Sequence, residues 1–288
     1  MNRRHILAPT FRRRAVLIPA LCLGSAVAVA DTSFGKETFS AELGVFLSDF
    51  DTDVELTGPR GGDSINLEDA LGLESSLSAF SGSLGWRFAP RHRLTASYIR
   101  FDREATSAAD RTFTVDTNRG TYTFNAGATV TTTFDWELIP VTYAYSFYKT
   151  DDLEIAASAG VHWFNFKTGF SGNATVTPPN GSPGPVASAA AVESTSGPLP
   201  VLGLQADFAL SEKWTIGAHA GWFGLDYDQY SGELIDLGIG AEYWISDNFS
   251  AGLRYSYFNI DISVSDGPYS VGADYAYQGL QAYVGLRY

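Results

Sequence analysis

From about residue 38 to the end of the chain, apolar and polar side chains alternate with a period of two. That period is the mark of strands that present one face to an apolar medium and the other to a polar one. Ten segments carry it, at 38–56, 75–89, 92–106, 128–148, 153–170, 199–210, 214–226, 232–245, 249–264 and 274–288. Each is long enough to cross a bilayer at a tilt, and nowhere beyond the first thirty residues do about twenty apolar residues run together as a spanning helix requires. The pattern predicts an all-β chain: a closed antiparallel up-and-down transmembrane β-barrel of about ten strands, or eight if two shorter segments are loop hairpins. A soluble barrel or sandwich would alternate too, but with its charges outward. The polar positions here are rich in Gly, Ser and Thr, which suits a lumen.

Two segments identify the face that meets lipid. In 214–226, Trp214, Ile216, Ala218, Ala220 and Trp222 oppose Thr215, Gly217, His219 and Gly221. In 249–264, Phe249, Ala251, Leu253, Tyr255 and Tyr257 oppose Ser250, Gly252, Arg254 and Ser256. Each apolar face begins and ends on an aromatic residue eight positions apart, roughly 26 Å along a strand and about 20 Å in height at the usual tilt. Trp214, Trp222, Phe249 and Tyr257 are therefore expected to belong to two aromatic girdles. The connections sort the same way. Turns at Pro90-Arg91, 149–152, 211–213 and 246–248 are tight, whereas loops near 57–74, 107–127, 171–198, 227–231 and 265–273 fall at the opposite end. Short turns are expected on the periplasmic side and the loops outside. Residues 171–198, rich in Gly, Pro, Ala and Ser, are expected to form a loop with little capacity for a core. Residues 112–124, around Asn118-Arg119-Gly120, suit a projecting hairpin, and 66–73 suit one turn of helix.

The first thirty residues follow another rule. Five arginines and no acid precede an apolar stretch that ends in Ala28-Val29-Ala30, the composition and small-x-small ending of a secretory signal peptide. Cleavage after Ala30 leaves 31–288 as one barrel beginning at Asp31. Arginine pairs at Arg3-Arg4 and at Arg12 to Arg14 are not followed by a convincing twin-arginine motif. Cys22 lies within this leader, so disulfides, cysteine–zinc sites and cysteine nucleophiles are excluded from the rest. Removing the five leader arginines takes the formal charge from −13 to −18, and so acidic a chain is a poor partner for nucleic acid.

The last segment carries the most specific signal. Leu280, Ala282, Val284, Leu286 and the terminal Tyr288 share one face. This resembles the C-terminal signature of bacterial outer-membrane proteins, an aromatic last residue preceded by alternating apolar positions, although the family more often ends in Phe. With the leader and the turn–loop asymmetry, the whole of 31–288 resembles a small outer-membrane β-barrel in the broad OmpA-like and OmpW-like grouping. The resemblance implies a cell outer membrane location, recognition by the barrel-assembly machinery and contact with outer-membrane lipids, including lipopolysaccharide. It transfers no active-site motif.

Candidate chemistry is sparse, and no cofactor is expected. His92 falls at a periplasmic turn, where solvent exposure is expected. His162 and His219 point into the lumen from strands separated by another strand, without the neighbouring serine of a lipid A deacylase pattern or the Asp-x-His of the omptins. Asp49, Asp51, Asp53 and Glu55 form a comb of acids just beyond the apolar face of the first strand, suited to a solvated extension or to a divalent-ion contact with lipopolysaccharide phosphates. Strand parity points Glu42, Arg87, Glu154, Asp207, Glu242, Arg254 and Arg287 inward, with Arg254 diagonally near Glu242. Both signs of charge in one narrow bore predict an ion-pair network that closes it. A structural or surface-interaction barrel acting through its external loops is the leading functional expectation, a narrow passive pore the alternative, and a lipid-modifying enzyme or protease a remote one.

Overall fold

The computed structural model describes residues 35–58, 61–117, 120–178, 181–227, 230–266 and 269–288. The expected leader, the expected cleavage site before Asp31 and the side chain of Glu55 lie outside the described residues. In chain order the elements are β1 (Phe39–Gly58), β2 (Gly61–Asn66), α1 (Leu67–Leu71), β3 (Ser76–Ala89), β4 (His92–Ala108), β5 (Phe113–Thr117), β6 (Gly120–Phe124), β7 (Thr129–Lys149), β8 (Leu153–Thr177), β9 (Val186–Ala209), β10 (Trp214–Tyr227), β11 (Tyr230–Trp244), β12 (Phe249–Asp266) and β13 (Tyr269–Arg287).

All the strands except β2, β5 and β6 form a closed ten-stranded antiparallel barrel. It is sealed by β1 against β13, in register from Ser40↔Arg287 to Thr57↔Ser270. The other three strands extend the wall at the long-loop end. β3 leaves β1 at Asp49, and β2 takes its place from Asp53 to Gly58. β7 leaves β8 at Gly172, and β6 pairs there from Ala174 to Thr177. Each handover keeps backbone donors and acceptors satisfied where a neighbour departs.

Side-chain parity holds around the wall. Leu43, Leu84, Val141, Trp163, Leu202, Leu253 and Leu280 all point outward, and Phe80 is 83% exposed. An apolar band of this extent is what a strand wall in hydrocarbon presents, since monomeric soluble proteins rarely expose one so large. Trp214, Trp222 and Phe249 are exposed in this band, while Tyr257 is half-buried. Leu280, Ala282, Val284, Leu286 and Tyr288 face outward together, and the Tyr288 carbonyl accepts from the amides of Thr38 and Phe39 where the barrel closes.

The turn of helix at 66–73 is α1, capped by the Asn66 side chain on the Asp69 amide and ended by left-handed Gly72. The hairpin within 112–124 is β5–β6. The segment 171–198 differs from expectation. Pairing of β8 with β9 continues to Thr175↔Val186, well into the stretch expected to be a loop. Its alanines do form a core: Ala174 and Ala191 are buried in one cluster with Phe113 and Phe124 of the hairpin. Small side chains permit that close approach, which composition alone hides.

Candidate functional site

The lumen has two parts. Towards the long-loop end it is filled by an aromatic layer to which β1, β4, β7, β8, β12 and β13 contribute Phe46 and Phe50, Phe101, Phe134 and Trp136, Phe164, Phe258, and Tyr275 and Tyr277. Leu234 of β11, Val201 of β9 and Phe223 of β10 complete the ring. Trp136 and Tyr275 pack with centroids 4.8 Å apart, and Phe258 stacks on Tyr277 at 4.9 Å. On top sits α1, burying Leu67, Ala70 and Leu71. One cation is embedded here. Arg103, 1% exposed, lies with its guanidinium carbon 4.4 Å from the Phe50 centroid and 4.5 Å from that of Phe134. Its Nη1 meets Glu68 Oε1 of α1 at 2.5 Å, and its Nη2 donates to Thr52 Oγ1 at 2.8 Å. Thr52 in turn donates to Glu68 through both its amide and its hydroxyl. Helix and plug are thereby locked together.

Below the layer a polar vestibule of about 410 Å³ opens towards the short-turn end. All seven lumen charges expected from parity line it. They are held in separate local groups. Arg87 binds Glu154 at 2.8 Å and Glu37 at 3.1 Å, and Lys149 stands 3.5 Å from Glu154. Ser146 also donates to Glu154. Asp207 meets Arg93 at 3.4 Å, and Arg93 donates to Gln205 at 2.6 Å. Arg254 pairs with Glu42 at 3.0 Å, donates to Gln281 at 3.1 Å and lies 4.7 Å from the Tyr283 centroid. Glu242 instead accepts from Ser250 at 2.6 Å, and Arg287 covers the Trp244 ring at 3.5 Å while donating to the Asp247 carbonyl.

Two expectations are corrected here. Register does set Arg254 diagonally from Glu242, as expected, but its ion pair is with Glu42, because its side chain crosses β13 to reach β1, a direction set by barrel shear that hairpin register does not reveal. Nor do the charges close the bore: they hug the vestibule wall, and aromatic side chains fill the lumen above them. Strand parity could have found Arg103, which shares the inward parity of Phe101, and Arg93, which shares that of Thr95.

The histidines are dispersed. His92 is not simply solvated. It is half-buried in an aromatic cluster with Phe88, Tyr143 and Tyr145, and its Nδ1 lies 2.7 Å from the Tyr143 hydroxyl. His219 lies 3.3 Å from Asp236, while buried His162 has no hydrogen-bond partner for Nδ1 among the described residues. Both His162 and His219 line the vestibule.

At the long-loop rim, beyond the apolar band that ends on β1 at Leu47, Asp49 and Asp51 are exposed and Asp53 is half-buried. Asp51 accepts from Asn66 at 2.8 Å. Register adds a second dimension to the comb: Asp53 lies opposite Asp274, Asp274 opposite Asp261, and Asp261 opposite Glu233, giving a row across four strands. Burial, followed by the nearby Asp51 carboxylate, pushes the Asp53 carboxyl above the usual range. Burial likewise raises Asp274, with a contribution from Asp261, although the hydrogen bond from Asn259 opposes it. Among the described residues no three His, Cys, Asp or Glu side chains converge as a chelating metal site would.

No protein-family model matches the chain, and no curated protein matches it. Among solved structures, the outer membrane protease OmpT from Escherichia coli aligns with a TM-score of 0.52 at 10% identity, covering 86% of this chain and 97% of that one. The translocator domain of the autotransporter NalP from Neisseria meningitidis gives 0.39 at 13% identity, covering 85% and 88%. The outer membrane protein OprG from Pseudomonas aeruginosa gives 0.36 at 8%, covering 87% and 95%. At such identities the likeness to OmpT is one of fold, and together with the apolar band it gives this chain the fold of a bacterial outer-membrane β-barrel.

Proposed function

We propose that the protein is an integral outer-membrane barrel with a closed bore, and that its role is structural or one of surface interaction, carried by the parts that project outside. The aromatic layer is the observation that supports this reading, because packed rings and a locked helix leave a solute no path. The external wall of β5, β6 and the upper halves of β8 and β9 packs Phe113, Tyr122, Phe124, Ala174 and Ala191 into the same buried cluster as the aromatic layer, which gives a presenting surface a firm base. A histidine-based external enzyme finds less support, since His162 and His219 lie beneath the layer and His92 lies at the short-turn end. The acids at the rim would contact lipopolysaccharide phosphates through shared divalent ions rather than chelate one alone. Chelator should then lower thermal stability in lipopolysaccharide bilayers more for the wild type than for the variant D49N/D51N/D53N/E55Q; equal loss would refute that contact.

Planar-bilayer conductance tests the main reading. The wild type should show no stable openings of general-porin size, and F101A/W136A should create them. E242A/R254A should stay closed, because those residues line the vestibule without filling it. Stable large openings in the wild type would overturn the closed-bore reading.

A further inference from the structure

The seam between β9 and β10 is closed only in its lower part. Their pairing runs from Thr215↔Ala209 to Trp222↔Leu202 and stops there. Above that point, among the described residues, β10 pairs only with β11, to Tyr227↔Tyr230, and β9 only with β8, to Val186. Pro200 and Pro198 stand just past the break, and a residue without an N–H weakens a ladder where it sits. Residues 186–197 beyond them contain no proline and no lysine, and Glu193 is their single charged residue. Among the described residues, one side of this stretch therefore carries alternate backbone donors and acceptors with no strand paired to them. The edge is held firm, because β8 pairs along its other side and inward-facing Ala191 is buried against the β5–β6 hairpin. Its outward side chains are small or apolar, with Val186 59% and Val192 54% exposed.

We propose that residues 186–197 of β9 form a docking edge for an extended, basic segment of another protein, which adds to the sheet as an antiparallel strand. This deepens the surface-interaction reading and rests on it. A second copy in the same membrane does not fit. Two barrels standing side by side run β9 in the same sense, and strands tilted by about 35–45° would meet as parallel edges crossing at about 70–90°. A segment from elsewhere can lie along the strand in either sense. Its charge follows from the surroundings: beside the seam stand exposed Asp226 and Glu233, and Glu233 begins the row of acids that reaches Asp53. Lysines along one face of the incoming strand would meet those carboxylates. Small Ala and Ser neighbours leave room for larger side chains on its other face.

The test uses the full barrel in detergent and a blocked nine-residue peptide, Lys-Val-Lys-Tyr-Lys-Val-Lys-Tyr-Lys, read by amide hydrogen exchange. In the free protein every second amide of 186–197 should exchange fast. The peptide should slow those amides by about tenfold or more. The same peptide N-methylated at alternate residues should have no effect, since it keeps the charge and loses the donors. A190P, checked for folding by the mobility shift between unheated and boiled samples, should abolish the protection. Three outcomes would overturn the proposal: uniform protection of 186–197 without peptide, equal protection by the N-methylated peptide, or none at millimolar peptide. Protection that grows with protein concentration alone would replace the proposed occupant with a second copy. Each of these leaves the conductance result untouched, so failure of the edge and failure of the closed-bore reading are told apart.

Discussion

Arg103 shows how far a single residue can depart from the pattern that places it. Parity puts it inside the barrel, where a charge is expected among water and other charges. It sits instead between two phenyl rings, neutralised by Glu68 from a helix more than thirty residues earlier in the chain. Removing one partner of a buried pair strands the other and typically costs about 3–5 kcal/mol. E68Q should therefore lower the urea midpoint of the folded form sharply, and R103M should do so less, because Glu68 lies nearer the surface. The double variant E68M/R103M should recover much of the loss; if it is as unstable as E68Q, the pair is not what holds the helix. At the rim, Asp53 and Asp274 behave in the opposite sense. Their raised carboxyls bind protons in the folded state at a pH where the unfolded chain has released them. Their penalty is thus present at neutral pH and relieved as pH falls through the raised values. D53N and D274N should each stabilise the barrel at pH 7.5, by about 0.5 kcal/mol as for other like-charge cross-strand pairs, and should change nothing near pH 3. A gain that persists at pH 3 would show that charge is not its source.

Among the elements, the strands and their outward faces were legible because hydrocarbon imposes a strict rule on every second residue. The rule weakens once a strand leaves the bilayer. That is why 171–198 reads as a loop although most of it continues β8 and β9: water no longer demands apolar side chains on one face, and Ala, Ser and Gly are composed like a linker whether or not they pair. The handovers of β3 to β2 and of β7 to β6 were hidden for a related reason, since they depend on where a neighbour departs. The packing of the hairpin gives a test. Replacing 112–125 by a short Gly-Ser link would uncover Ala174 and Ala191 and free the upper edge of β8. Limited proteolysis should then cut within 171–198 many times faster while the barrel keeps its gel mobility. An unchanged cleavage rate would mean that the wall stands without the hairpin.

For the whole molecule, closure and strand number followed from the chain because period-two alternation repeats through ten successive segments, a local signal with global meaning. The contents of the bore did not follow. The seven charges all line the vestibule, yet which of them meet depends on shear, and what fills the lumen depends on how far up each strand the aromatic residues lie. Phe46, Phe101, Trp136 and Tyr277 come from four separate strands, and only the closed cylinder brings them to one level. The layer they form also has an electrical meaning. A polar vestibule of about 410 Å³ has room for water and small ions, which would carry the potential of the compartment it opens to as deep as His162 and His219. Any voltage across the membrane therefore falls mainly over the aromatic layer, a fraction of the bilayer thickness, and the field there is steepened in proportion. Arg103 and Glu68 are the charges that stand in it.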